Sequence, residues 1–395
     1  MNLGFYYHIT ITKKEGKLYL PGYLAVFINA LANEVNNLTL FLHEADKTEA
    51  INCDTELSGN NISWVNLGIK SPAWHRSIFH KQLLKPINEH IENLDILLIR
   101  GPSPLAPYFR LHISNKQKTA YLVVGDYKEG MQDFKINSIR DVLVKWYTVS
   151  NDQKFKKAMN GGLVIVNSEK LFTQFVGDYK HLYLIKTTTL SDDDFYNRSD
   201  SFVENKNIIN LLYTGRIVRE KGIDNILKAC LILQQEGVPI ELHIAGMLDA
   251  KHKNYIEELI NISEYNGKKI LHYHGFKKVG HELNQLYRDA QIYIIASLSD
   301  FEGFPRTIWE AMANSCPVIA SSVGGIPHYL KDEHHALLIP PKDVVAIVEA
   351  VKRIITNQAF RQKLIRNGYA LAQTNTLEVQ SKFLVQILKN HIDFH

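Results

Sequence analysis

The stretch SLSDFEGFPRTIWEAMANSCPVIASSVGGIPHYL, residues 297–330, contains a strand exit, a glycine turn, a helix start and two spaced carboxylates. Just before it, AQIYIIAS (290–297) is a short apolar run of the kind that forms a buried parallel strand. Glu302, Gly303 and Phe304 then read as a loop, and Pro305 suits the first turn of a helix, where a missing N–H costs nothing. TIWEAMAN offers Ile308, Trp309, Met312 and Ala313 at helical spacing, and CPVIAS (316–321) reads as the next strand. The unit is strand, loop, helix, strand. Such a unit aims backbone N–H groups and the positive end of a helix at the carboxyl edge of a sheet, where open α/β folds bind anions.

Glu302 and Glu310 lie eight positions apart, about 12 Å at helical rise, comparable to the reach from a sugar across a diphosphate to a ribose. Two readings stand side by side. Either the carboxylates accept hydrogen bonds from vicinal hydroxyls at the two ends of a ligand, or Glu302 caps the helix and Glu310 is an ordinary paired helix residue. Upstream, YTGRIVREKGIDNILKA (213–229) places Arg216 and Lys221 five residues apart in a loop closed by Gly222 before a helix. Two such cations suit a diphosphate, arginine by binding two oxygens and lysine as a mobile point charge; an exposed basic turn is the plainer alternative.

Together these residues resemble a family. The pattern E-G-F-P-x-x-x-x-E-A-M-A, followed by P-V-I-A and G-G-I-P, is similar to the donor-site signature of retaining glycosyltransferases of family 4, the group 1 glycosyl transferases. The segment 213–229 resembles the phosphate-binding element of the same family, in the expected order and about ninety residues earlier. The resemblance covers 211–357 well and the first half in outline. It implies an α/β GT-B fold, with two Rossmann-like domains facing across a cleft and a C-terminal helix crossing back to the first domain. The expected division is an acceptor-binding domain at 1–186, a linker at 187–207, a donor-binding domain at 208–376 and the crossover helix at 377–395.

The resemblance also implies roles. Arg216, Lys221, Glu302 and Asp126 are the expected catalytic set, with Glu302 on the hydroxyls of the transferred sugar. Gly215, Phe276, Gly303, Phe304, Pro305 and Glu310 are expected to bind the donor, Phe276 near the base and Glu310 on the ribose. The expected co-substrate is a nucleotide diphosphate sugar, a UDP-sugar ahead of a GDP-sugar, with no cofactor and no metal. The implied activity is that of a hexosyltransferase-type enzyme (EC 2.4) acting on a saccharide or lipid-linked saccharide in bacterial surface polysaccharide or glycolipid assembly. Retention without a protein nucleophile fits same-face attack, the leaving phosphate taking the acceptor proton. Two departures stand against this. The family's glycine pair is split here into Gly16 and Gly22, and Gly125 and Asp126 occupy the place of its usual histidine. These motivate the alternatives of a non-catalytic partner subunit and a sugar-nucleotide epimerase of the same fold.

Composition bounds the rest. A chain of 395 residues with 45% hydrophobic content suits two domains with full cores, and a net charge of +4 is too weak to argue for nucleic acid. Cys53, Cys230 and Cys316 are widely separated, which favours a reducing compartment and no disulfide framework. The N-terminus lacks the basic start and long apolar core of a signal peptide, and no apolar run approaches the roughly 18 to 20 residues of a membrane span. The expected location is therefore cytoplasmic, with contact at the inner face of the cell membrane as an added option.

Along the first half, LGFYYHITI (3–11) reads as a strand, TKKEGKLYLPGY as its exit loop, LAVFINALANEV (24–35) as a helix and LTLFLHEA (38–45) as a second strand. Gly16 and Gly22 serve either a structural turn or a binding loop. Segment 71–94 has helical spacing of Trp74, Ile78, Leu84 and Ile91 among basic residues, with Pro86 expected to break or kink it. It suits either a core-facing helix or an anionic membrane surface. In the polar linker, Asp192, Asp193 and Asp194 are a D-x-D metal element or solvated linker residues. His272 and His274 share a strand face, with core packing set against a metal site for which no third ligand is evident.

Overall fold

The structure is a computed structural model that describes residues 1–113, 119–125, 138–186, 188–202, 208–248, 252–278, 280–299 and 303–393. Asp126 and Glu302, both expected site residues, lie outside the described residues. The chain divides into two compact units, Met1–Thr189 with Leu377–His395, and Leu190–Thr376.

Unit 1 is built on a sheet whose parallel part runs β5-β3-β1-β6-β7-β8-β9. These strands are β1 (Asn2–Lys14), β3 (Asn37–Glu44), β5 (Ile62–Ile69), β6 (Ile96–Gly101), β7 (Thr119–Val123), β8 (Leu163–Val166) and β9 (His181–Leu184). The central runs of β1, β3, β6, β7 and β8 are apolar and buried, as covering by helices on both faces requires. Two antiparallel strands, β2 (Lys17–Leu20) and β4 (Thr55–Glu56), extend the far end of β1. The expected exit loop is thus a hairpin. Glu15 and Gly16, at φ 50° and 84°, supply the two left-handed turn positions that match the twist of paired strands. Gly16 is a turn residue, and Gly22 opens the helix Gly22–Asn33 with its N–H donated to Asp54.

Segment 71–94 breaks at Phe79, between helices Ala73–Ile78 and His80–His90, and Pro86 lies inside the second. The second helix survives its proline because Leu84 and Ile87 are buried against the sheet, so packing outweighs one lost backbone bond. Trp74 and Ile78 are 58% and 63% exposed, contrary to a core-facing reading. The basic stretch after residue 138 is one helix, Ile139–Met159, capped by the Ser138 hydroxyl. The terminal helix Leu377–Asp393 belongs to this unit, burying Leu384, Val385, Ile387 and Leu388 in the core that also holds Leu24 and Ile28.

Unit 2 has a six-stranded parallel sheet in the order β14-β11-β10-β15-β16-β17. Its strands are β10 (Ile209–Thr214), β11 (Ile240–Ala245), β14 (Leu271–Tyr273), β15 (Ile292–Ile295), β16 (Val318–Ser321) and β17 (Leu337–Ile339); a small hairpin, β12 (Glu264–Tyr265) with β13 (Lys268–Lys269), precedes β14. Both sheets reverse strand order at one place, between β1 and β6 and between β10 and β15. That reversal opens the crevice where doubly wound folds take ligands.

The stretch read as a polar linker divides at Thr189, and much of its later part is docked on unit 2. The Arg198 guanidinium donates to the carbonyls of Arg288 and Ala290, each at 2.7 Å. Asp200 receives a bidentate pair from Arg361, Nε to Oδ1 at 2.6 Å and Nη2 to Oδ2 at 2.8 Å, with both side chains under a tenth exposed. Asp192–Asp194 form a single 3-10 turn closed by a capping box with Ser191, and Asp194 accepts from Asn284 at 2.9 Å. The D-x-D sequence here caps a turn.

Burial pushes the Asp200 carboxyl up and its bonds from Arg361 more than reverse this, leaving it below the usual carboxylate range. Arg361→Met strands that carboxylate and is expected to cost about 3–5 kcal/mol in denaturant unfolding at neutral pH. Because the folded value is the lower one, the stabilisation is present above the ordinary aspartate range and is lost as pH falls through the folded value. The gap between wild type and variant should therefore close in acid; a constant gap contradicts the account.

Candidate functional site

The carboxyl ends of β10, β11 and β15 converge through glycine. Gly215 and Gly246 follow β10 and β11 with φ of 145° and 157°, and a Cβ on Gly246 would lie 1.6 Å from the Gly215 carbonyl oxygen. Only residues without side chains permit that approach. After Gly215 the chain turns sharply. The Tyr213 hydroxyl donates to the Arg216 carbonyl (2.8 Å), and a 3-10 turn, Arg219–Lys221, delivers Gly222 in the left-handed region as the N-cap of helix Ile223–Gln235. A Cβ on Gly222 would meet the Ala296 carbonyl oxygen at 2.1 Å, and Leu298 N–H donates to the Glu220 carbonyl (2.8 Å). The basic turn is thereby tied to the segment leaving β15. Arg216 is exposed and Lys221 is buried to 8% exposure, so the two cations differ in solvation.

On the other side of the order reversal, Gly303 is exposed and Phe304 half-buried, stacked on Trp309 with ring centroids 4.3 Å apart. Pro305 is the N-cap of helix Arg306–Ala313, one position earlier than expected from its preference for a first turn. The Gly324–Gly325 turn lies against this loop: a Cβ on Gly325 would stand 3.0 Å from the Phe304 nitrogen. Phe276, after Gly275 at φ 70°, is 59% exposed at the end of β14. Of the site residues expected from sequence, Gly215, Arg216, Lys221, Gly303, Phe304, Pro305, Glu310 and Phe276 thus all belong to the carboxyl side of one sheet in unit 2.

Glu310 sits on the Arg306–Ala313 helix at 8% exposure and accepts from the Tyr287 hydroxyl at 2.8 Å. Burial raises its carboxyl above the ordinary range, against the pull of the Tyr287 bond and the Arg306 charge. The network extends inward. Tyr287 and Thr214 hydroxyls lie 2.6 Å apart, and Tyr293 donates to Thr307 at 2.6 Å. Burial and the Glu310 charge hold the Tyr287 phenol far above its usual range, so it stays a neutral donor. Thr214, Tyr287, Tyr293 and Thr307 were not predicted from sequence. Each reads locally as a strand or helix residue, and their partners lie 14 to 79 positions away. Gly246 was also missed, although a glycine directly after a strand, matching Gly215, was a visible cue.

His272 on β14 does acquire an acidic neighbour. Glu241 Oε2 on β11 lies 2.9 Å from His272 Nε2 and 3.8 Å from His243 Nε2, and His243 Nδ1 lies 2.9 Å from His274 Nε2. Among the described residues Glu241, His243 and His272 are the one group near metal spacing, with ligand atoms within 4.8 Å of one another. Ligands of a tetrahedral ion at about 2.1 Å stand roughly 3.4 Å apart, so the group is too open as it stands.

Residues 192–371 match the family model for glycosyl transferases group 1. Protein CapJ of Staphylococcus aureus is 25% identical over 419 aligned positions, covering 99% of this chain and 93% of that protein. An uncharacterized glycosyltransferase of Methanocaldococcus jannaschii is 31% identical over 159 residues, 40% of this chain and 38% of the relative. The amylovoran biosynthesis glycosyltransferase AmsK of Erwinia amylovora is 29% identical over 157 residues, 38% of this chain and 37% of the relative. The chain thus spans well under half the length of the last two. Among solved structures, Anabaena HepE in complex with UDP and glucose aligns with a TM-score of 0.65 at 16% identity, covering 99% of this chain and all of that one. Sucrose-phosphate synthase from Thermosynechococcus elongatus aligns with a TM-score of 0.70 at 19% identity over the whole of both chains. These structural likenesses establish the fold, the α/β GT-B arrangement of two Rossmann-like domains.

Proposed function

We propose that this chain is a retaining, metal-independent glycosyltransferase of family 4 that moves a hexose from a nucleotide diphosphate sugar, a UDP-sugar first, to an acceptor hydroxyl in surface polysaccharide assembly. One observation carries the reading: the basic turn after β10 and the Gly303–Phe304 turn after β15 flank a single order reversal, with Glu310 on the helix beyond the second turn. In this reading unit 2 binds the donor. Arg216 and Lys221 neutralise charge as it develops on the departing diphosphate, assisted by backbone N–H groups at Gly303 and Phe304 and the dipole of helix Arg306–Ala313. Glu310 holds the ribose, its second oxygen directed by the Tyr287 bond; Glu302 and Asp126 are assigned to the sugar and acceptor on sequence grounds alone. The leaving phosphate takes the acceptor proton on the same face. Relatives named for amylovoran and capsular polysaccharide biosynthesis support the pathway class.

Lys221→Ala is expected to lower kcat by roughly 10²–10³, the loss typical of one preorganised transition-state contact. Glu310→Gln should act mainly on the donor KM. The assay is nucleoside diphosphate release with an acceptor, with the product's anomeric configuration read by NMR and EDTA leaving the rate unchanged. Unaltered turnover in both variants rejects the site; donor binding without transfer to any acceptor favours a non-catalytic subunit instead.

The acceptor in this reading is lipid-linked, presented at the inner face of the cell membrane. Support comes from unit 1, where Trp74, Ile78, Phe79, Leu143 and Trp146 are all exposed. Tyr147 binds the two helices concerned, donating to the Ala73 carbonyl at 3.0 Å and lying 2.6 Å from Ser77 Oγ. Exposed Arg140, Lys145 and Lys81 give the patch the charge that suits anionic headgroups. Among the described residues no helix is long and apolar enough to cross a membrane. Cosedimentation with vesicles containing anionic lipid should fall several-fold in the double variant Trp74→Ala, Trp146→Ala; binding equal to wild type contradicts the proposal.

A further inference from the structure

Unit 1 carries an unexplained cluster near the carboxyl end of β3 and the part of β1 just beyond Tyr6, where the pairing of β1 with β6 stops. Arg76, on helix Ala73–Ile78, is 5% exposed, and its Nε and Nη1 are buried without a hydrogen-bond partner. His8 Nδ1 on β1 and His43 Nε2 on β3 are likewise buried and unpartnered. Three side chains with orphaned nitrogens in one place are unusual, because buried guanidinium donors without an acceptor are costly for a fold to retain.

The three groups share one neighbourhood: His43 on β3 stands in register with Thr10 on β1, two residues from His8. Burial first, then the Arg76 charge, pushes both His8 and His43 down to about 4. Lys70 acts on both in the same direction and Arg100 on His8. Tyr6 and Tyr147 also feel the Arg76 charge. The one carboxylate facing the cluster among these groups is Glu49, which is paired to Lys70 at 2.5 Å. The site is therefore a concentration of positive charge with its own acid already engaged.

Chemistry then selects the ligand. A guanidinium edge offers two parallel donors that match a phosphate or carboxylate, and the cluster's position is where a doubly wound sheet receives ligands. His43 Nδ1 is 3.3 Å from the Gly68 carbonyl, so its Nε2 becomes a donor when the ring is protonated, which a bound anion favours. We propose that this sheet end binds an oxyanion of the phosphate class carried by the acceptor substrate, with Arg76 as the principal contact and His8 and His43 as flanking donors. This rests on the reading of unit 1 as the acceptor half and names the chemical class of that acceptor.

The test is thermal unfolding of the full chain in saturating UDP, which occupies the donor site, titrated with inorganic phosphate against chloride at equal ionic strength. Wild type is expected to gain Tm with the logarithm of phosphate concentration. Arg76→Met should lose that gain while keeping a Tm at or above wild type in phosphate-free buffer, since it removes an unpaired buried charge. No phosphate-specific gain in wild type, or an equal gain in the variant, overturns the proposal. If Arg76→Met does not fold, histidine ring NMR of wild type decides: the His8 and His43 resonances, assigned with His8→Gln and His43→Gln, should move saturably with phosphate and titrate at higher pH, and unmoved rings overturn it. Replacing inorganic phosphate by a soluble hexose phosphate or by polyprenyl phosphate in micelles separates the two sources. Failure of UDP to bind wild type counts against the donor reading and leaves the phosphate result to stand by itself.

Discussion

The candidate site depends on one close approach: Gly222 lies so near the Ala296 carbonyl that no side chain fits between them. This contact places the turn after β10 against the segment leaving β15, and the Leu298 to Glu220 backbone bond fastens it. Without it the basic turn would be an exposed loop on one side of the order reversal and the glycine turn a separate feature on the other. The Gly215–Gly246 approach does the same between β10 and β11, so three strand ends are drawn together by backbone alone. Backbone N–H groups and a helix start can then face one anion, which side chains at these positions would obstruct.

Beneath this surface lies a polar layer whose desolvation is offset by reciprocal bonding. Glu310, Tyr287, Thr214, Tyr293 and Thr307 are joined by short hydrogen bonds in an otherwise apolar core. A carboxylate raised by burial and steadied by a phenol is oriented before any ligand arrives, which reduces the ordering cost of binding. Unit 1 differs at one cluster of its described residues. Its Arg76, His8 and His43 retain unmet nitrogens at the corresponding sheet end. The two units are alike in topology and opposite in how far their sites are satisfied internally.

The second half was legible because its chemistry is local. Strand, glycine turn and helix succeed one another within 290–321, and the matching elements β15, Arg306–Ala313 and β16 appear in that order. Helical spacing alone placed Ile308, Trp309, Met312 and Ala313 in the core. The first half was read less well for a physical reason. Glu15–Gly16 looked like loop chemistry, yet two left-handed positions make a hairpin; Pro86 looked like a helix breaker, yet buried Leu84 and Ile87 carry the helix through it. Trp74 and Ile78 keep helical spacing while facing out, and periodicity does not say which side is wet. The Tyr287–Glu310 bond and the Arg76 cluster were illegible because they join distant segments.

Hydrogen exchange on the full chain, with and without UDP, addresses the central claim most directly. If the basic turn and the glycine turn form one anion site, UDP should slow exchange at amides of residues 215–222 and 303–307 together, with 275–278 also protected through the base. Protection confined to only one of the two turns, or appearing in unit 1 alone, would contradict it.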